Sequence, residues 1–337
     1  MSENRDKKLP FIDWLRCCSM ISIILCHMVQ IPGSKVQFLA QLFNLGVQVF
    51  FLVSGFSLGL QGEITDIKKW YKRRFRKVFV PYLFFLMVLF TVYCCKPYCF
   101  AQLTPGIFFS TLFGVQGFTK TLLGATQTWF ITSILLFYLV LPFFSKMWFR
   151  LSYRKSNKIA ILLILVVAFF LTYLILEKLV AVIIGPVFMA LAAYIIGVEY
   201  KSDLYSKIKI IPTVLFMIIS FLTRFACVFI RHEKLEAVFV AVSAFGIAFT
   251  VCALFLVIFR KSQGNKYLSF LTGISFEVYL YHNMFIEGPI YLMYKTNSII
   301  FNIVITCAAI FASAFLANKI VAFLNTKIFN EKKGIDS

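Results

Sequence analysis

The chain has 337 residues, 61% of them hydrophobic and only 14% charged, with a mean hydropathy of +0.87. That balance excludes a soluble domain, because apolar runs long enough to span a bilayer recur along the whole length. The net charge of +20 does not point to nucleic acid either: the basic residues sit in loops between the apolar runs, a pattern that sets membrane topology.

In chain order the pattern predicts ten membrane helices, near 11–31, 38–60, 78–95, 127–146, 159–176, 180–198, 208–230, 237–259, 267–293 and 299–324. The expected fold is all-α and polytopic, a single integral membrane domain over 1–337. Residues 103–117 are apolar but short and broken by Pro105 and Gly106, so they predict a re-entrant or interfacial element. The first run carries Asp13, Arg16 and His27 and lacks a small-residue cleavage site, which reads as a retained helix rather than a signal peptide.

Arg16 and His27 are separated by ten residues, and eleven helical steps make about three turns with only ~20° left over. Both side chains therefore share one face, ~16 Å apart along the axis. Ionisable groups are costly in hydrocarbon and usually turn toward a polar interior. An arginine near one surface, in line with a histidine deeper in, suits a ligand with a phosphate head and a reactive tail. His282, on the ninth run, reaches a depth similar to that of His27, in the outer half of the core. His232 falls in a loop and reads as a solvated surface residue. Neutral imidazole can act as a general base near neutral pH; the alternative for each intramembrane histidine is a structural hydrogen bond between helices.

Nine cysteines, most of them inside apolar runs, have no zinc-ligand spacing with histidine, and no metal site is expected. The loops test the topology. With the N-terminus inside, 24 of the 34 Lys and Arg residues fall on the inner side and seven on the outer side. That asymmetry predicts an even number of spans and cytoplasmic termini.

Several motifs then occur in order. Phe11-Ile12-Asp13-Trp14-Leu15-Arg16 leads to His27, and Gly46-Val47-Gln48-Val49-Phe50-Phe51-Leu52-Val53-Ser54-Gly55-Phe56 forms the second run. Tyr71-Lys72-Arg73-Arg74-Phe75-Arg76-Lys77 enters the third before Pro81-Tyr82. Trp129-Phe130-Ile131 with Tyr138 and Pro142 marks the fourth, and Ser275-Phe276-Glu277-Val278-Tyr279-Leu280-Tyr281-His282 the ninth. Taken together they resemble the acyltransferase-3 family of integral membrane acyltransferases, which includes O-antigen and enterobacterial common antigen O-acetyltransferases. Two departures stand out. The family's Arg-x-x-Arg falls on Arg74 and Lys77, with Arg73 and Arg76 keeping the spacing one residue earlier, and Phe276 replaces a tyrosine.

The resemblance implies a stand-alone O-acyltransferase of the bacterial inner membrane, most simply an O-acetyltransferase. It would move an acyl group from cytoplasmic acyl-CoA to a hydroxyl of a cell-surface glycan or lipid-linked saccharide, with no tightly bound cofactor and no nucleic acid partner. It makes His27 the general base and Arg16 the donor-phosphate ligand. Asp13, Arg73, Arg74, Arg76 and Lys77 would support the donor. Glu277, Tyr279, His282, Ser54 and Trp129 would serve on the acceptor side or in support. Gly-x-Ser-x-Gly is absent, so Ser54-Gly55 also reads as close helix packing. Glu277 could instead pair with Arg224 or Lys319, and the basic run could be a lipid-facing topogenic anchor. A glycan flippase, or a non-catalytic envelope protein that binds glycan, are the competing functions; intramembrane charges suit a transport path, but no broken-helix repeat of the two-halved transporter kind is found.

Overall fold

A computed structural model describes residues 9–30, 40, 44–200, 209–230, 232–259 and 262–329. The expected termini, the first part of the second span and much of the loop at 201–208 lie outside these residues. No strand occurs among the described residues. The principal helices are α1 (Pro10–Val29), α2 (Gly46–Leu60), α3 (Ile67–Arg74), α4 (Val80–Cys94), α5 (Pro105–Leu112) and α6 (Trp129–Leu151). They continue with α7 (Lys155–Ile175), α8 (Lys178–Tyr200), α9 (Ile210–Ala226), α10 (Glu233–Ile258), α11 (Lys266–Ile286) and α12 (Ile299–Phe329).

Among the described residues, seven helical stretches are long and apolar enough to cross a bilayer, α3 and α4 counting as one, and α2 and α9 are shorter apolar helices. With the 21 residues of α11, every expected span has its helix. This is an all-α, polytopic membrane protein. The outer surface agrees: Leu163, Ile164, Val167, Ile300 and Val304 point outward from α7 and α12 and are more than half exposed. In water such a surface would aggregate; in lipid it is the solvated face.

Two differences from the expected boundaries matter. The third span begins earlier, because the basic stretch is itself helical and runs into α4 through a π-turn at Phe75–Phe79. The ninth ends at Ile286, not at 293, because Gly288-Pro289 breaks it. Residues 103–117 form α5 and a following turn that fold back on the bundle. Tyr82 Oη donates to the Thr111 carbonyl at 2.5 Å, Gln116 Nε2 to the Thr128 carbonyl at 2.9 Å, and the Gly117 amide to Thr132 Oγ1 at 3.0 Å. An irregular backbone is tolerated at membrane depth when protein groups satisfy it, as here.

Two packing arrangements position the site. First, α2 and α8 cross at backbone contact. A Cβ at Gly55 would lie 2.0 Å from the Ala190 carbonyl oxygen, and one at Gly59 would lie 2.1 Å from that of Tyr194. Second, α1 and α11 run parallel and in register. Cys17 Sγ lies 3.5 Å from Thr272 Oγ1, and the rings of His27 and His282 lie 5.0 Å apart between centroids. Both pairs are offset by 255 residues, so the two helices keep step over the ten intervening residues, ~15 Å.

Candidate active site

The C-terminal ends of α1 and α11 build the first half of the site. His27 and His282 face each other there, and Glu287, which caps α11, brings Oε1 within 3.8 Å of His27 Nδ1. His282 is fully buried; its Nδ1 lies 2.6 Å from the Tyr279 carbonyl, where it donates a proton. That bond leaves Nε2 as the acceptor nitrogen. His27 is partly exposed, but its Nδ1 is buried. The floor is polar and tightly tied. Tyr279 Oη donates to the Gln127 carbonyl at 2.5 Å, Gln127 Nε2 donates to the Leu280 carbonyl at 2.6 Å, and Asn283 Nδ2 donates to Thr126 Oγ1. Within this floor His27 Nδ1, His282 Nε2, Gln127 Oε1 and Asn283 Oδ1 have no hydrogen-bond partner among the described residues. Buried polar atoms are normally satisfied, so such a cluster marks a place where a polar ligand or water completes the bonding.

The other half lies at the opposite end of the same two helices. Arg16 sits on α1 within electrostatic range of Asp13, Tyr138 and Arg74. The Arg74 guanidinium stacks over Trp70 at 5.6 Å and Tyr138 at 5.8 Å. The remainder of the basic run turns elsewhere. Lys69, Lys72, Arg73, Arg76 and Lys77 line a cavity of about 560 Å³ closed by Gly273, Phe276 and Glu277 of α11 and Asn318 and Asn325 of α12.

Lys69, Lys72, Arg73 and Arg76 recur at three- and four-residue spacing and so share one helix face, while Arg74, one step beyond Arg73, lies ~100° around the helix from it. The run therefore serves two surfaces: Arg74 goes inward toward Arg16, and Arg73, Arg76 and Lys77 go to the cavity. Pro81 has no N–H to offer the carbonyl of Lys77, and the Val80 amide reaches back five residues to the Phe75 carbonyl. This π-turn inserts an extra residue and rotates the faces on either side of it. A wall of five cations with asparagine amides is suited to a polyanion, and the guanidiniums offer paired donors to phosphate oxygens.

The family model of the acyltransferase domain matches residues 9–318, nearly the whole chain. The chain belongs to the acyltransferase-3 family. No curated protein and no solved structure gives a match. It is thus a multi-pass membrane acyltransferase.

Within this acyltransferase the sequence candidates fall into three places. His27, His282 and Tyr279 meet at one end, the Tyr279 ring 5.6 Å from that of His282. Asp13, Arg16 and Arg74 gather at the other, with Arg73, Arg76, Lys77 and Glu277 around the cavity. Glu277 accepts from Asn318 Nδ2 at 3.0 Å, while Arg224 Nη1 donates to the Val240 carbonyl and Lys319 lies over the Phe315 ring. Ser54 stands beside the Gly55–Ala190 crossing, and Trp129 is half-buried at the start of α6. Neither is brought to the histidines by a contact seen here. His232 is exposed just before α10. Among the described residues, no group of His, Cys, Asp and Glu gathers as metal ligands would.

Three further residues of this cluster carry little signal in the sequence. Glu287 was visible only as an acid near the end of an apolar run. Gln127 and Asn283 are neutral amides whose importance comes from α11 meeting the 126–128 turn. The one available cue was that Asn283 directly follows His282.

Proposed function

We propose that the protein is an O-acyltransferase, most simply an O-acetyltransferase, that carries an acyl group from acyl-CoA to a hydroxyl of a surface glycan or lipid-linked saccharide. One observation carries the reading: α11 has a cavity lined by five cations of the 69–77 stretch along its 273–277 segment and a histidine pair with a carboxylate at its C-terminal end. Acyl-CoA has the same polarity, with phosphates at one end and a thioester at the end of a long arm. In this reading the adenosine phosphates lie among Lys72, Arg73 and Arg76, and Arg16 meets the diphosphate or the start of the arm. The thioester then reaches His27.

Chemistry follows from the pair. Glu287, 3.8 Å from Nδ1, closes to hydrogen-bond distance when the substrates bind; it then holds the proton there and leaves Nε2 as the base, as a carboxylate orients the histidine of a catalytic triad. The acceptor hydroxyl oxygen attacks the thioester carbonyl carbon as Nε2 takes its proton. The C–S bond then breaks, and the CoA thiolate takes up the proton from His27. His282, neutral and bonded to the Tyr279 carbonyl, packs against the His27 ring and fixes it. The basic loops and both termini lie on the cytoplasmic side of a bacterial inner membrane.

The test is His27→Ala. It should abolish glycan acylation while the protein still inserts and accumulates normally. Mass spectrometry of surface glycans from cells with and without the variant reads the result; normal acylation by a well-expressed His27→Ala protein would falsify the role of base.

A further inference from the structure

The segment after α11 is tied down at both ends. Its backbone folds back on the helix end: the Ile290 amide donates to the Met284 carbonyl at 3.2 Å and the Leu292 amide to that of Phe285 at 2.8 Å. Gly288 packs against Gly124, where any Cβ would meet backbone at 2.7 Å. At its far end the Thr296 amide donates to Asn302 Oδ1 at 3.1 Å, and Asn302 Nδ2 returns a bond to the Thr296 carbonyl at 2.8 Å. Between these anchors Tyr291 is held at φ +49°, the sole non-glycine residue at positive φ among the described residues. For a bulky aromatic residue that conformation is strained, and it persists only where the surroundings over-determine it.

The strain has a visible result. The rings of Tyr291 and Tyr294 stack 4.8 Å apart at 24°, so Tyr294 covers one face of Tyr291, and Tyr291 is still 45% exposed. Tyr294 lies within electrostatic range of Glu287, whose carboxylate is itself 39% exposed and 3.8 Å from His27. An exposed aromatic ring, a carboxylate and the proposed base therefore follow one another along one short surface. A pyranose has that pattern of needs. Its C–H face is weakly electropositive and rests on the negative face of an aromatic ring, while its rim hydroxyls donate to a carboxylate.

We propose that the Tyr291–Tyr294 pair is the platform for a pyranose ring of the acceptor, with Glu287 receiving one of its hydroxyls. This rests on the O-acyltransferase reading and adds to it the place and chemical class of the acceptor subsite. The strained backbone at Tyr291 turns the exposed ring toward the ligand rather than into the bundle. An interfacial aromatic belt is the competing use of exposed tyrosines in a membrane protein.

The experiment uses full-length protein in nanodiscs, radiolabelled acetyl-CoA, and polysaccharide extracted from cells that lack the protein. Tyr291→Ala should raise the polysaccharide KM about tenfold, the scale of one lost stacking contact, with the acetyl-CoA KM unmoved. Tyr291→Phe keeps the ring and should restore most of that affinity. Tyr291→Asn, which tolerates the left-handed backbone, should fold normally and bind polysaccharide as poorly as the alanine variant. A polysaccharide KM unchanged in both Ala and Asn variants overturns the platform, as does an equal rise for both substrates. A thermal midpoint that falls while the polysaccharide KM stays put identifies a belt anchor and also overturns it. Failure of the parent reading looks different: wild-type protein itself would move no label to polysaccharide, and the subsite would fall with it.

Discussion

A carboxylate 3.8 Å from a histidine nitrogen is just beyond hydrogen-bond reach, but its charge favours a proton on that nitrogen, and a closure of under ~1 Å makes the bond. Glu287→Gln keeps the shape and removes the charge, so the expected loss is in the chemical step. We predict a fall in kcat of ~10²-fold or more with the acyl-CoA KM nearly unchanged, the behaviour of a group that orients a base. Steady-state kinetics on reconstituted protein decide it, and an unaltered kcat would remove Glu287 from the mechanism. At the other end Arg16→Lys exchanges a planar fork for a point charge. Losing one charge-assisted pair costs on the order of 1.5–3 kcal/mol, so acyl-CoA affinity should weaken by ~10 to 150-fold while acceptor affinity changes little. Weakened acceptor binding with unchanged donor affinity would assign Arg16 to the sugar instead. Arg16, His27 and His282 were legible in the sequence because ionisable residues are rare in apolar runs. Glu287 carries no comparable signal, since its partner is 260 residues away in sequence and only the parallel register of α1 and α11 joins them.

At the level of elements, the α2–α8 crossing makes a sharp contrast between glycines. A Cβ at Gly55 would stand 2.0 Å from a backbone oxygen that has no rotamer to yield, whereas one at Gly106 meets nothing within 4 Å. Gly55→Ala must push two helices apart and should destabilise by about 1–3 kcal/mol. Gly106→Ala should be neutral or stabilise by up to ~1 kcal/mol, because it only restricts the unfolded chain. Thermal midpoints in detergent separate them; equal midpoints would contradict the close approach of α2 and α8. The existence of the helices was legible from hydropathy, but two of their ends were not. Ile290, Leu292 and Met293 extend the apolar run of α11 beyond Gly288-Pro289, so composition alone carried the ninth span to 293. The basic stretch 68–77 reads as a charged loop, yet Asp66 caps it by accepting the Lys69 amide at 2.9 Å, and Trp70 buries its inner face. Once the stretch is taken as helix, the three- and four-residue spacing of Lys69, Lys72, Arg73 and Arg76 puts them on one face and sets Arg74 apart; a reading of it as a loop hides that face.

Across the whole molecule the two half-sites lie at opposite ends of one pair of helices, so donor and acceptor would approach from opposite sides of the membrane. The separation follows from spacing: Arg16 and His27 are ~16 Å apart along α1, about half of a hydrocarbon core ~30 Å thick. The cavity is lined by five cations of the 69–77 stretch, and an excess of Lys and Arg marks the cytoplasmic side. Two consequences can be measured. A cysteine placed at exposed position 232, on a background cleared of native cysteines, should react with an impermeant reagent from outside the cell, and one at position 155 should not. In proteoliposomes of uniform orientation, acetyl-CoA supplied on the side of residue 155 should acylate polysaccharide held on the side of residue 232. Both substrates supplied only on the side of residue 155 should give no product, because a path that admits the slender pantetheine arm to His27 would also have to admit a bulky saccharide. Efficient transfer with both substrates on that one side would mean that the acceptor shares the basic cavity. The division into a donor end and an acceptor end would then be wrong, even if His27 proved to be the base.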